Sequence, residues 1–160
     1  MIQDLTARAY AEYAAIMDPS GWAGLEHALR HALASNEPME RIVADDGERL
    51  IGSVLLYPAG ARAYGELTGP SPVPEVRLLS VPPEARGQGV AGALMMECIR
   101  RARLSGSDAL GIHTSSSMRV AMQMYERMGF VRLPADDFQP DGTEMVEAFR
   151  LPLSVAEARS

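Results

Sequence analysis

Arg86-Gly87-Gln88-Gly89-Val90-Ala91-Gly92 is the stretch on which the fold of this chain turns. It lies between residues 75–81, an apolar run of strand length, and residues 89–104, where Leu94, Cys98, Ile99 and Ala102 follow helical spacing until Ser105-Gly106 stops the pattern. Glycine at such a corner lets the backbone approach a bulky ligand, and the first turn of a helix leaves its N–H groups without acceptors. Each backbone donor aimed at a charged acceptor contributes about 1.5–3 kcal/mol, so several on one diphosphate give roughly micromolar binding without a lysine. The alternative is a turn that only tightens a strand-to-helix corner. Three glycines and an arginine within seven residues favour the anion site.

Gly87, Gly89 and Gly92 also satisfy the dinucleotide pattern GxGxxG, with Asp108 close to the spacing of a ribose-binding acid. The context opposes a nicotinamide-dependent oxidoreductase. There the first glycine follows its strand at once, whereas Pro82-Pro83-Glu84-Ala85-Arg86 intervenes here, and Asp108 precedes the next strand instead of ending it. No Gly-Lys-Ser/Thr phosphate loop occurs.

Outward from this corner, residues 109–114 read as a strand, so strand, crossover helix and strand imply a parallel pair. Ser115-Ser116-Ser117 supplies caps for a helix running to Met128, stopped by Gly129, and residues 130–133 and 144–151 read as a closing antiparallel pair. Upstream, Leu5, Ala9, Tyr13, Ile16 and Met17 form one helical stripe, ended at Asp18-Pro19-Ser20-Gly21; Trp22, Leu25, Leu29, Ala32 and Leu33 form a second. Residues 39–44 and 50–57 flank Asp45-Asp46-Gly47-Glu48, a hairpin signal in which both central residues of the favoured turn need positive φ. Residues 58–74, rich in glycine and proline, make a long loop of the kind that often carries function. The class is mixed α/β (α+β), and residues 1–160 read as a single domain.

Composition narrows the function. A formal charge of −6, from 15 basic and 21 acidic residues, opposes binding to a polyanion, so nucleic acid is not expected as a partner. No apolar run is long enough to cross a bilayer, and the start lacks a basic segment followed by an apolar block, so neither a membrane nor a secretory leader is expected. The single cysteine fits a reducing compartment and a cytoplasmic protein.

The corner resembles motif A of the GNAT superfamily, the Gcn5-related N-acetyltransferases, with signature Gln/Arg-x-x-Gly-x-Gly/Ala: Arg86, Gly89 and Ala91 fill its fixed positions. Leu78-Leu79-Ser80-Val81 lies at the family's spacing before it, and residues 121–130 match the second landmark, Ala-x-x-x-Tyr-x-x-x-Gly-Phe, through Ala121, Tyr125, Gly129 and Phe130. The resemblance covers residues 39–151 and implies a mostly antiparallel sheet with one splayed parallel pair. The family's opening strand has no counterpart, which implies a shortened sheet or an edge completed by a second subunit, as in a homodimer.

The resemblance further implies acetyl-CoA as cosubstrate and an amine, of a small molecule, peptide or protein, as acceptor. Backbone groups around Leu79, Ser80 and Val81 would bond the pantetheine amides, while Arg86, Gly87, Gln88, Gly89, Val90, Ala91 and Gly92 would form the diphosphate site. A lysine-like amine of pKa ~10.4 is mostly protonated at neutral pH and needs a base. Glu75 stands where some members carry a glutamate base, and alternation places it on one face with Arg77, Leu79 and Val81 unless a bulge intervenes. Its ordinary pKa near ~4.3 requires an apolar setting or a relaying water; the alternative is a solvated strand start paired with Arg77. Tyr125 is the implied acid for the leaving thiolate, or a core aromatic, and both roles are compatible. Met118 replaces an asparagine that binds cofactor in many relatives; Ser115, Ser116 or Ser117 substitutes for it or caps the helix, capping being preferred. A noncatalytic acyl-CoA sensor with the same fold is the rival reading.

Weaker signals have structural explanations. Cys98 reads as a buried thiol. His113 reads as structural because no carboxylate at a telling spacing orients it. His27 and His31 lie one helical turn apart and read as solvated, so no metal site is expected. Trp22 reads as a core anchor, with lining of the acceptor pocket as alternative, and Asp136-Asp137 as an acidic surface turn or an attraction for the amine.

Overall fold

The computed structural model describes residues 2–64, 68–115, 117–139 and 145–153. The chain opens with helices α1 (Ile2–Tyr10), α2 (Tyr13–Ile16) and α3 (Pro19–Leu33). The expected first stripe is broken because Ala14 and Ala15 bond three residues back, to the carbonyls of Ala11 and Glu12, which tightens the backbone out of α-helical register. Asp18 starts α3: its Oδ1 accepts from the Gly21 N–H at 2.6 Å, and Pro19 fills the first turn, where no N–H is needed.

Strands β1 (Glu40–Asp45) and β2 (Leu50–Tyr57) form the expected hairpin. Of its tip residues only Gly47 has positive φ; the Asp45 and Asp46 carboxylates instead accept from N–H groups of Gly47, Glu48 and Arg49. Then follow β3 (Glu75–Ser80), α4 (Val90–Leu104), β4 (Ala109–Ser115), α5 (Arg119–Arg127), β5 (Val131–Arg132) and β6 (Val146–Pro152). Gly129, at φ 101°, ends α5 while the Phe130 N–H reaches back to the Tyr125 carbonyl.

The six strands form one sheet in the order β1-β2-β3-β4-β6-β5, antiparallel except for β3 beside β4. Among the described residues no strand precedes α1, and β1 and β5 form the two edges of the sheet. Glu144, expected in the last strand, lies outside the described residues. One face of the sheet packs Val54, Leu56, Val76, Leu110, Ile112 and Phe149 against the α4 stripe Val90, Leu94, Met95, Cys98 and Ile99. The other packs Leu55, Tyr57 and Leu78 against Ala9, Tyr10, Leu29 and Leu33 of α1 and α3. Gly52 allows α4 to sit close: a Cβ there would lie 2.6 Å from Val90 Cγ1 and 2.9 Å from Leu94 Cδ1. No helix among the described residues is long and apolar enough to cross a membrane.

Candidate active site

The site begins at a bulge. Leu55 pairs with Arg77 but Ser53 with Ser80, so β3 carries one residue more than β2 over that interval. Leu78 absorbs it at φ 55°, the one non-glycine with positive φ among the described residues, and the Ser80 hydroxyl donates to the Leu78 carbonyl at 2.9 Å. The bulge corrects the expected alternation. Glu75, Arg77 and Leu78 face the helices α1 and α3, while Leu79 and Val81 turn to the α4 side. It also parts the parallel strands: β3 and β4 are registered only at Glu75 with Gly111 and Val76 with Ile112, and beyond that they splay.

Arg86-Gly87-Gln88-Gly89 lies exposed after β3, and α4 follows directly. Gly87 and Gly89 both have φ 79°, which a side chain would strain, and neither has an atom within 4 Å of a Cβ position. The N–H groups of Gly87, Gln88, Gly89, Val90, Ala91 and Gly92 have no acceptor among the described residues, whereas Ala93 already closes the first helical bond, to Gly89. They form a consecutive run of unbonded donors at a helix N-terminus. The Arg86 side chain does not join them. It donates to the carbonyls of Val81 and Ala9 and to the Glu12 carboxylate, and so fastens α1 to the corner.

In the splay, the Leu79 carbonyl accepts from the Tyr10 hydroxyl at 3.2 Å and the Val81 carbonyl from Arg86 Nε at 3.0 Å, each leaving a second lone pair. Opposite, Thr114 Oγ1 and Ser115 Oγ are buried with no hydrogen-bond partner. Ser115 belongs to β4 and does not cap α5, whose N-cap, Met118, makes no side-chain bond; Ser116 lies outside the described residues. Among the described residues both hydroxyls are orphaned; capping is the preferred reading of the serine run, with a hydroxyl contact to the cofactor as its alternative, and Thr114 carries no mark in the sequence.

Tyr125 has the core-aromatic placement expected of it, and it borders neither of the two cavities that flank Glu75 and His113. Its ring is buried and packs on Phe130 at 5.7 Å in the core against α4. Burial, then the neighbouring phenols of Tyr10 and Tyr13, push its pKa far above the ordinary range, so the hydroxyl stays a proton donor.

The expectation of a solvated Glu75 beside Arg77 is overturned. Glu75 is buried, with a side chain 5% exposed, and its Oε2 lies 2.8 Å from Nδ1 of His113, itself 10% exposed. His113 therefore has the carboxylate partner that its place in the sequence does not suggest: β3 and β4 bring together residues 38 apart. Its Nε2 lies 3.1 Å from the Asp136 carbonyl. Both ring nitrogens face acceptors, so the imidazolium, a donor at each, is the form that satisfies them. Burial opposes the charge, but the hydrogen bond and charge of Glu75, with the Asp136 carbonyl, outweigh it and raise the pKa above its ordinary value. Gly111 makes room, since a Cβ there would stand 2.6 Å from Glu75 Oε1.

Two adjoining cavities flank this pair. The larger, about 570 Å³, lies between α1–α3 and the splay and is bordered by Leu78, Thr114, Ser115 and Met118 as well as Arg77 and His113. The smaller, about 280 Å³, is bordered by Ala63, Tyr64 and residues 68–72, by Glu75 and Gly111, and by the segment after β5. Tyr64, His113 and Phe138, with ring centres 4.8 to 5.2 Å apart, divide them. Trp22 is half-buried and belongs neither to a core cluster nor to a cavity wall, which corrects its reading as an anchor. Asp136 and Asp137 are committed to Arg150 and Arg132, and Asp137 also accepts from the Ala148 N–H. No cluster of His, Cys, Asp or Glu suited to a metal occurs among the described residues.

A mixed sheet with one parallel pair parted by a bulge, followed by a run of unbonded main-chain donors at a helix start, is an arrangement suited to an extended, anionic ligand. The chain belongs to the acetyltransferase (GNAT) family, whose model matches residues 4–130. It is 30% identical over 132 residues, 81% of this chain and 40% of the relative, to a mycothiol acetyltransferase of Geodermatophilus obscurus. It is 26% identical over 132 residues, 82% of this chain and 40% of the relative, to that of Thermomonospora curvata. The chain thus spans about two fifths of the length of these curated relatives. Among solved structures it resembles a GNAT family acetyltransferase from Elizabethkingia anophelis with acetyl-CoA bound, at TM-score 0.59 and 19% identity over 96% of this chain and 91% of the other.

Proposed function

We propose that this protein transfers the acetyl group of acetyl-CoA to an amine by direct attack, acting as one cytoplasmic domain. The observation that carries the reading is the run of unbonded N–H groups at residues 87–92, in the connection that follows the splayed strand β3 and opens α4. Diphosphate on the cradle and pantetheine along Leu79, Ser80 and Val81 lead the thioester towards the larger cavity, where the amine binds. The second lone pairs of the Leu79 and Val81 carbonyls and the orphaned hydroxyls of Thr114 and Ser115 are available to the pantetheine amides.

Tyr125 is the proposed hydrogen-bond donor to the leaving thiolate; its raised pKa keeps the hydroxyl protonated. Glu75 is the proposed base. Since His113 holds its Oε2 and it borders the smaller cavity, the amine's proton reaches it through water in that cavity, by way of Oε1. The proposal places the reaction in the cytoplasm, in keeping with the single cysteine. The open edge of β1 is where a second copy would pair in a homodimer. The test is thiol release from acetyl-CoA with a panel of small amines and peptides. Amine-dependent release supports transfer, whereas CoA binding without release by any of them identifies a sensor.

A further inference from the structure

Arg77 lines the larger cavity, half-buried, on the same face of β3 as Glu75. Its Nη1 donates to the Ala63 carbonyl at 2.8 Å, and its guanidinium lies 4.4 Å over the Tyr64 ring, which fixes its position. Seven arginines, Arg8, Arg30, Arg86, Arg100, Arg101, Arg132 and Arg150, each form an ion pair. Arg77 has none within ion-pair distance among the described residues, because Glu75, the nearest acid in sequence on that face, is taken by His113. The only acid bordering this cavity among the described residues is Asp18, whose Oδ1 is held by Gly21 and Ser20 at the start of α3. The rest of the wall is largely apolar, with Ile16, Met17, Leu25, Leu78, Met118 and Phe138. A fixed, partly desolvated cation without a counter-ion in an apolar cavity is a costly arrangement that a ligand anion relieves.

We propose that the acceptor is an amine with an apolar body and a carboxylate, of the amino-acid kind, and that Arg77 seats the carboxylate. The planar guanidinium keeps donors beyond those directed at the Ala63 carbonyl and the Tyr57 hydroxyl, and these suit a carboxylate better than a hydroxyl or a second amine. Arg77 is thereby a specificity-determining residue. The inference rests on the acetyl-transfer reading above and concerns only which amines the cavity selects.

Matched pairs test it: L-phenylalanine against L-phenylalaninamide and L-methionine against L-methioninamide, as acceptors with acetyl-CoA. The amide's amine is less basic and more often neutral, so intrinsic reactivity favours the amide. The proposal expects the acids to lead by about tenfold or more in kcat/KM, and Arg77→Met to collapse that ratio. Equal use of both, a lead for the amides, or an equal loss for both in the variant overturns it. Binding is read independently of turnover by thermal unfolding with CoA present, where N-acetyl-L-phenylalanine is expected to stabilise the protein more than its amide. Equal shifts, or none, also overturn the proposal. If no amine of any kind supports thiol release, the acetyl-transfer reading fails, while the binding comparison still decides whether Arg77 selects a carboxylate.

Discussion

Replacing His113 by leucine removes the partner of a carboxylate whose side chain is only 5% exposed. Leucine keeps most of the packing against Tyr64 and Phe138 but leaves Glu75 charged, between two strands, facing an apolar group. Breaking a buried pair from one side costs about 3–5 kcal/mol, because desolvation of the survivor is no longer offset. In a Glu75→Gln background the survivor is a neutral carboxamide, and the same replacement loses only hydrogen bonds, about 1–2 kcal/mol. The two substitutions therefore couple by about 2–3 kcal/mol, readable from urea unfolding of wild type, both single variants and the double variant. The direction with pH is fixed as well. The folded pKa of His113 is raised, so its contribution is fully present below the unfolded value near ~6.5 and is lost as pH rises through the folded value. Wild type should lose stability upward from about pH 6.5 more steeply than the His113→Leu variant. A single-variant loss under about 1 kcal/mol, equal losses in both backgrounds, or parallel pH profiles would refute the buried ion pair.

Three further outcomes follow from the geometry. Tyr125→Phe should lower kcat by about tenfold or more, within the ~10²–10⁴ range of a general acid, and a near-normal rate would leave the ring as packing alone. Gly52→Ala puts a Cβ 2.6 Å from Val90 Cγ1 and should cost about 1–3 kcal/mol in urea unfolding while weakening CoA binding, since α4 carries the cradle; unchanged values for both would contradict that packing. Cys98 is buried and its thiol is pushed up to about 12, chiefly by burial, so a thiol reagent at pH 8 should modify the native protein far more slowly than the urea-unfolded chain.

The corner at residues 86–92 was legible because its chemistry is local: glycines that open the backbone and a helix start that leaves donors free both stand in consecutive residues. Strand order was nearly as legible, since a strand, helix and strand in succession leave only a parallel pairing for β3 and β4. What failed depends on register. The bulge at Leu78 has no marker in Leu78-Leu79-Ser80, so strict alternation put Leu79 and Val81 on the wrong face. The link between Glu75 and His113 needs Gly111 opposite Glu75, a pairing that no spacing along the chain announces. The side chain of Arg86 was assigned to the diphosphate site by its motif position, yet its donors hold Val81, Ala9 and Glu12, and a contact across 77 residues leaves no local trace.

The central claim is that main-chain hydrogens of residues 87–92 hold the diphosphate of an acyl-CoA. A crystal structure of the protein with CoA tests it most directly. The account predicts diphosphate oxygens within hydrogen-bond distance of several of these N–H groups, with the pantetheine arm lying between β3 and β4. CoA bound elsewhere, with these six N–H groups facing only solvent, would contradict it.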